Sequence, residues 1–159
     1  MEVYKSKLTK KTVKIIGSIL LVVLVGIQFM PTTQNQSDTV PQADFMIINT
    51  VPKTVQNKLQ VSCYDCHSNN TEYPWYNKIQ PVAWILEDHV VQGKEELNFN
   101  EWGNYSARRK NSKLKSIISQ MEDDEMPLYS YTLIHGDAKL SEEEKMEIIK
   151  YLTLVKKDL

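Results

Sequence analysis

Cysteine is scarce in this chain of 159 residues: Cys63 and Cys66 are the only two, too few for a disulfide scaffold. Glycine (5) and proline (6) are also sparse, which excludes collagen-like and low-complexity architectures. Net charge is nearly absent, formally -1, and that argues against a general nucleic-acid binder. No internal repeat and no convincing run of alternating strands can be found, so an all-β or doubly wound fold has no support. The near-zero charge conceals an asymmetry. Residues 1–14 hold five lysines (Lys5, Lys7, Lys10, Lys11, Lys14) against one glutamate, a net of +4, while the rest of the chain is net -5.

Behind the basic tip, residues 15–30 carry no charge (Ile-Ile-Gly-Ser-Ile-Leu-Leu-Val-Val-Leu-Val-Gly-Ile-Gln-Phe-Met). As a helix they would cover ~24 Å. A bilayer core is roughly 30 Å thick, so a span needs Thr12, Val13 and a snorkelling Lys14 to extend it. No small-x-small cleavage site comes after the apolar run, which favours an uncleaved transmembrane anchor (residues 1–30) over a cleaved signal peptide. Either reading keeps the lysines cytoplasmic and exports the rest of the chain to the extracytoplasmic (periplasmic) side. Residues 31–50 are polar and carry two prolines; they read as a flexible tether. The folded part is then 51–159, enough for one small core.

Four helices are expected in that part, which makes it all-α. The first covers about 52–62, with Asn49 or Thr50 as cap, Pro52 in its first turn, and Val55 and Leu59 on one face. The second starts at Pro81 and ends at Gly93. The third covers about 106–121, with Leu114, Ile117, Ile118 and Met121 grouped and Arg108, Arg109, Lys110, Lys113 and Lys115 facing water. In the fourth, Ser141 and Glu144 form a capping box ahead of a stripe of Met146, Ile149, Leu152 and Val155.

The chemistry is concentrated in Cys63-Tyr64-Asp65-Cys66-His67. Cys-x-x-Cys-His is the attachment signature of c-type haem. Two thiols three positions apart reach two vinyl groups on one porphyrin edge, and the adjacent imidazole supplies an axial ligand. A thioredoxin-like redox pair would want a strand before the motif and a long helix after it. A structural zinc would need four ligands at finger or ribbon spacing. A plain disulfide is the third alternative. Covalent haem c, one per chain, is the expected cofactor.

On that expectation His67 is the proximal ligand through Nε2, with Nδ1–H donated to a backbone carbonyl; Pro74 stands in a loop suited to supply it. Met126, in Glu125-Met126-Pro127, is the expected distal ligand, because a thioether suits haem iron and Pro127 stiffens the loop. Met121 and Met146 fit core stripes, His89 lies mid-helix, and His135 precedes a turn glycine. Ten of the fourteen aromatic residues fall between positions 63 and 133. They serve equally as loop packing or as walls for a flat prosthetic group. The acidic run Glu122-Asp123-Asp124-Glu125 reads as a solvated loop or as a patch for a basic redox partner.

These blocks together resemble a family of small membrane-anchored bacterial haem-binding domains, related to mono-haem cytochrome c, over about residues 52–155. The resemblance is carried by Cys63-Tyr64-Asp65-Cys66-His67-Ser68-Asn69, Thr71 and Tyr73-Pro74-Trp75-Tyr76. It continues through Pro81-Val82-Ala83-Trp84, Gly93, Leu97-Asn98-Phe99 and Trp102. It closes on Met126-Pro127, Tyr131, His135, Ala138 and Leu140-Ser141. It implies covalent haem on Cys63 and Cys66, ligation by His67, and Met126-Pro127 as the distal loop; Pro74, Trp75, Trp84, Trp102 and Tyr131 are the candidate pocket residues. His89 departs from the family pattern, which argues against a ligand role for it. The implied architecture crosses the motif-bearing helix with the last one, packing Val55 and Leu59 against Ile149 and Leu152, and leaves a poorly folded apo-protein.

With both axial positions filled by protein, the expected role is one-electron transfer to an unidentified redox partner by a membrane-tethered cytochrome that is not an enzyme. The alternative is a haem-based sensor or ligand-binding module with a labile or open distal position. A peroxidase ranks last, because only Arg108 and Arg109 could stabilise charge and both sit on a solvated helix face.

Overall fold

The computed structural model describes residues 9–37 and 39–159; Lys5 and Lys7 of the basic tip lie outside the described residues. Every regular element among the described residues is helical, as an all-α fold requires. The chain divides into two compact units.

The first unit comprises the described residues up to Thr33 together with Tyr73–Glu87. Its main element is α1 (Lys10–Ile27), opened by the Thr9 side chain accepting from the Thr12 amide and burying no side chain at all. This helix corrects the expectation of a transmembrane span. α1 has 18 residues, of which Lys10, Lys11 and Lys14 are charged, and its length is ~27 Å. No described helix is long and apolar enough to cross a membrane. Behind α1, the Gln28 side-chain amide pairs with the backbone of Gln80, donating to its carbonyl and accepting from its amide, both at 3.0 Å.

The second unit comprises Gln34–Glu72 and Asp88–Leu159. Its elements begin with α2 (Phe45–Ile48) and α3 (Lys53–Leu59). α3 runs without a break into a π-helical turn, Gln60–Tyr64, and then into α4 (Asp65–His67). α5 (Val82–Glu96) is divided between the two units. A 3-10 turn (Phe99–Asn104), α6 (Ala107–Glu122), α7 (Tyr129–Thr132), a second 3-10 turn (Gly136–Ala138) and α8 (Glu142–Lys157) complete the unit.

The core forms where three amphipathic helices meet. Val55 and Leu59 of α3 are buried with Ile148 and Leu152 of α8 and with Leu114 and Met121 of α6. Each such side chain contributes about 1.5–3 kcal/mol relative to exposure. The rim of the α3–α8 crossing carries Lys58–Glu144 at 2.8 Å and a Thr54 hydroxyl donating to Glu147 at 2.5 Å. Exposed pairs of this kind add only about 0–1 kcal/mol. α8 starts with the expected capping box, in which Ser141 and Glu144 satisfy each other's backbone amides. Its buried stripe keeps Leu152, with Ile149 and Val155 packed against the core, and differs from expectation at its start. Ile148 and Leu152 face the core and Met146 is 62% exposed, because Met146 falls about 160° from Ile148 around the helix.

Two further expectations change. The expected tether is partly built into the core: Phe45 is fully buried and Asp44 nearly so. Asp44 caps α2 through the Met46 amide (2.8 Å) and accepts from the Tyr64 hydroxyl (3.2 Å) and the Asn100 amide (2.7 Å). Phe45 packs edge-on against Phe99 and Trp102. Gly93, in turn, does not end α5, which continues three residues to Glu96. Its value is close approach: a Cβ there would stand 2.7 Å from the Cys66 carbonyl oxygen.

Candidate functional site

His67 ends the helical run that starts at Lys53, and the chain leaves it sharply, since Ser68 is fully extended. The exit is pinned on both sides. The Asn69 amide donates to the Asn100 side chain at 2.6 Å, and the Thr71 hydroxyl donates to the Asp65 carbonyl at 2.6 Å. The π-helical turn that carries Cys63 widens the helix at the start of the motif, a deformation common at functional sites.

The His67 ring is fixed by α5. Its Nδ1–H donates to the Gly93 carbonyl at 2.8 Å and to the Leu97 carbonyl at 3.1 Å. This corrects the expectation that Pro74 supplies the acceptor. Two carbonyl acceptors hold the ring in the Nδ1–H tautomer, which leaves the Nε2 lone pair for a ligand-binding role. Burial lowers the His67 pKa from the ordinary imidazole value, against the opposing pull of the Leu97 and Gly93 carbonyls. Phe99 meets the imidazole edge-on, 6.5 Å between centroids, and stacks flat on Tyr64 at 4.9 Å.

Cys63, His67 and Met126 line one cavity of about 230 Å³. Leu97, Phe99, Ile117, Met121 and Leu140 make its apolar walls. The Ser62 hydroxyl, also at the cavity, donates to the Ala138 carbonyl at 2.9 Å and ties the motif helix to the turn before Leu140. Cys66 is not part of the lining; it is half-buried against Gly93. Burial pushes the Cys63 thiol up to about 12, reinforced by Cys66, and the Cys66 thiol up to about 11, reinforced by Asp65. A redox-active Cys-x-x-Cys needs the opposite shift, a thiol held near or below neutral pH. Among the described residues no group of three or more His, Cys, Asp or Glu side chains could hold a metal ion, so the zinc alternative has no ligand set.

Met126 reaches the cavity because of how α6 stops. Asp124 takes the left-handed conformation, φ 58°, and its amide returns to the Met121 carbonyl while the Glu125 amide returns to that of Gln120. This is a Schellman turn with aspartate where glycine is usual. Lys145 of α8 holds Asp124, and also Glu142 at 2.9 Å. Part of the acidic run thus shapes the loop that delivers Met126 and Pro127.

The candidate pocket residues behave differently. Trp102 is fully buried in the core against Phe45, and the Tyr131 hydroxyl donates to Asp65 at 2.6 Å while its ring stacks on His135 at 4.4 Å. Neither lines the cavity. Pro74, Trp75 and Trp84 belong to the first unit, where Trp75 is 77% exposed; the cavity lining does not include them. His89 is absent from the lining as well, and Arg108 and Arg109 are solvent-exposed. Reasoning from sequence missed Lys113, Ser116 and Gln120, which face the cavity from α6. Their signal was available: with Ile117 and Met121 they form one face at spacings of three and four.

The sequence pattern of the haem-binding domain family matches residues 22–154. No curated protein and no solved structure matches the chain. The donor set suits the group this family binds: an imidazole with one nitrogen secured and the other unpartnered, a thioether on the same cavity, and apolar walls for a flat ring.

Proposed function

The chain belongs to the haem-binding domain family, and from that premise we propose that it is a mono-haem c-type electron carrier. In this reading Cys63 and Cys66 hold haem c by thioethers, His67 Nε2 binds iron, and Met126 fills the opposite axial position. The observation that carries it is the meeting of Cys63, His67 and Met126 at one cavity, with the His67 ring fixed by two carbonyls. Histidine and methionine together favour ferrous iron, and haem so ligated supplies reversible one-electron chemistry rather than substrate binding. On this reading the domain is not an enzyme.

The chain's own residues then act by restraint. Gly93 and Leu97 keep the imidazole correctly turned, Phe99 and Leu140 exclude water, and the Asp124 turn holds Met126 in place. The cavity is smaller than the ~300–1,000 Å³ of pockets that enclose a drug-sized ligand, so a haem held here would keep an edge outside it, open to a redox partner. Export is part of the reading, because haem c is attached outside the cytoplasm. So is attachment to a membrane surface through the exposed apolar side chains of α1, among them Leu20, Leu21 and Val22.

The test is the visible spectrum of the exported chain, ferric and ferrous, with carbon monoxide added last. A low-spin c-type spectrum indifferent to the gas is expected. A high-spin spectrum that shifts with carbon monoxide would replace electron transfer by the sensor reading.

A further inference from the structure

The wall that α6 presents to the cavity is polar at one end. Lys113 lies there, its side chain only 20% exposed, although the lysine-rich sequence around it suggests a solvated face. A lysine so placed lays its stem along the apolar surface and holds its ammonium at the rim. Its carboxylate neighbour among the described residues is Glu96, 3.8 Å away, at the limit of an ion pair, and that side chain is 86% exposed. Lys145 shows the contrast: also shielded, at 11% exposure, it is held by both Asp124 and Glu142. The charged and titratable groups facing the cavity are Lys113 on α6, Glu96 on α5, His67 on α4 and the Cys63 thiol. Lys113 is therefore a shielded cation with a weak, solvent-drawn partner, at the edge of a site with apolar walls.

That arrangement is complementary to a flat apolar ring that bears carboxylates on its periphery. We propose that Lys113 is a haem-binding residue whose ammonium receives a haem propionate, displacing the loose contact with Glu96. The inference rests on the proposed binding of haem at this cavity. Partial burial strengthens such a charge-assisted hydrogen bond relative to one in water. A positive charge fixed at the haem periphery also opposes the extra positive charge of ferric iron, so Lys113 raises the reduction potential. Glu96 faces the same group and acts in the opposite direction.

The exported haem-loaded chain tests this through two readouts: the midpoint potential and the propionate-bending band in the resonance Raman spectrum. Lys113→Gln should shift the ferric–ferrous equilibrium about tenfold toward ferric iron, 59 mV for a one-electron couple, and move the propionate band. Lys113→Arg should retain both values, and Glu96→Gln should raise the potential. Unchanged potential and band in Lys113→Gln would overturn the proposal. So would a Lys113→Gln effect that disappears when Glu96→Gln is already present, since Lys113 would then act only through Glu96. A wild-type chain that carries no haem would instead refute haem binding itself, a separate outcome seen before any variant is made.

Discussion

A single methyl group on Gly93 tests the contact that fixes the His67 ring. In Gly93→Ala the new Cβ would lie 2.7 Å from the Cys66 carbonyl oxygen and 3.3 Å from both the carbonyl carbon and Cβ of Cys66. Ordinary contact needs roughly 0.5–1 Å more than the shortest of these, and neither side is the end of a flexible side chain. α5 must therefore move off the motif helix, stretching the 2.8 Å bond from His67 Nδ1 to the Gly93 carbonyl. Overpacking costs about 1–3 kcal/mol and the weakened hydrogen bond about 0.5–1.5 kcal/mol. Alanine returns about 0.8–1 kcal/mol through helix propensity. The net loss should be about 0.5–3.5 kcal/mol, with a fall in melting temperature of roughly 2–4 °C for each kcal/mol in a chain of this length. Thermal denaturation of the haem-loaded chain measures it, with Gly136→Ala as control. Nothing lies within 4 Å of a Cβ at Gly136, so that change should stay within about 0.5 kcal/mol. A Gly93→Ala protein as stable as its parent, with an unaltered ferric spectrum, would refute the argument.

Three further changes probe other parts of the site. Met126→Ala should convert the iron to a high-spin or water-bound form that takes up carbon monoxide; an unchanged spectrum would remove Met126 from the iron. Asp124→Ala keeps the left-handed φ of 58° and loses Lys145, so urea denaturation should show a loss of about 1 kcal/mol, whereas Asp124→Gly relieves the backbone cost and should lose less. Tyr131→Phe removes the 2.6 Å bond to Asp65 and should cost about 1–2 kcal/mol without altering the haem spectrum; a spectral shift would make Tyr131 a pocket wall after all.

Local signals in the sequence were readable where local physics decides the outcome. Ser141 and Glu144 announce the start of α8, and Val55 and Leu59 announce a buried face. Residues whose role depends on a distant neighbour were not readable in this way. Gly93 carries the usual mark of a helix stop, and only the approach of Cys66 shows why a side chain is excluded there. Lys113 sits in a basic stretch that looks solvated, and only the cavity opposite it sets it apart. Phe45 comes after a polar, proline-bearing segment, yet Phe99 and Trp102 draw it into the core. The aromatic clustering suited loop packing and a pocket equally, and among the described Phe, Tyr and Trp side chains only Phe99 lines the cavity. Composition tells how many large rings must be buried; tertiary packing decides against what.

The most direct test of the central claim is the mass of the intact chain, exported by a host competent in c-type maturation, after acid denaturation and solvent extraction of free haem. Covalent attachment predicts that the chain keeps the added mass of one haem, and that the Cys63→Ala, Cys66→Ala double variant loses it. A chain that returns to its unmodified mass, with all its haem in the solvent, would contradict thioether attachment.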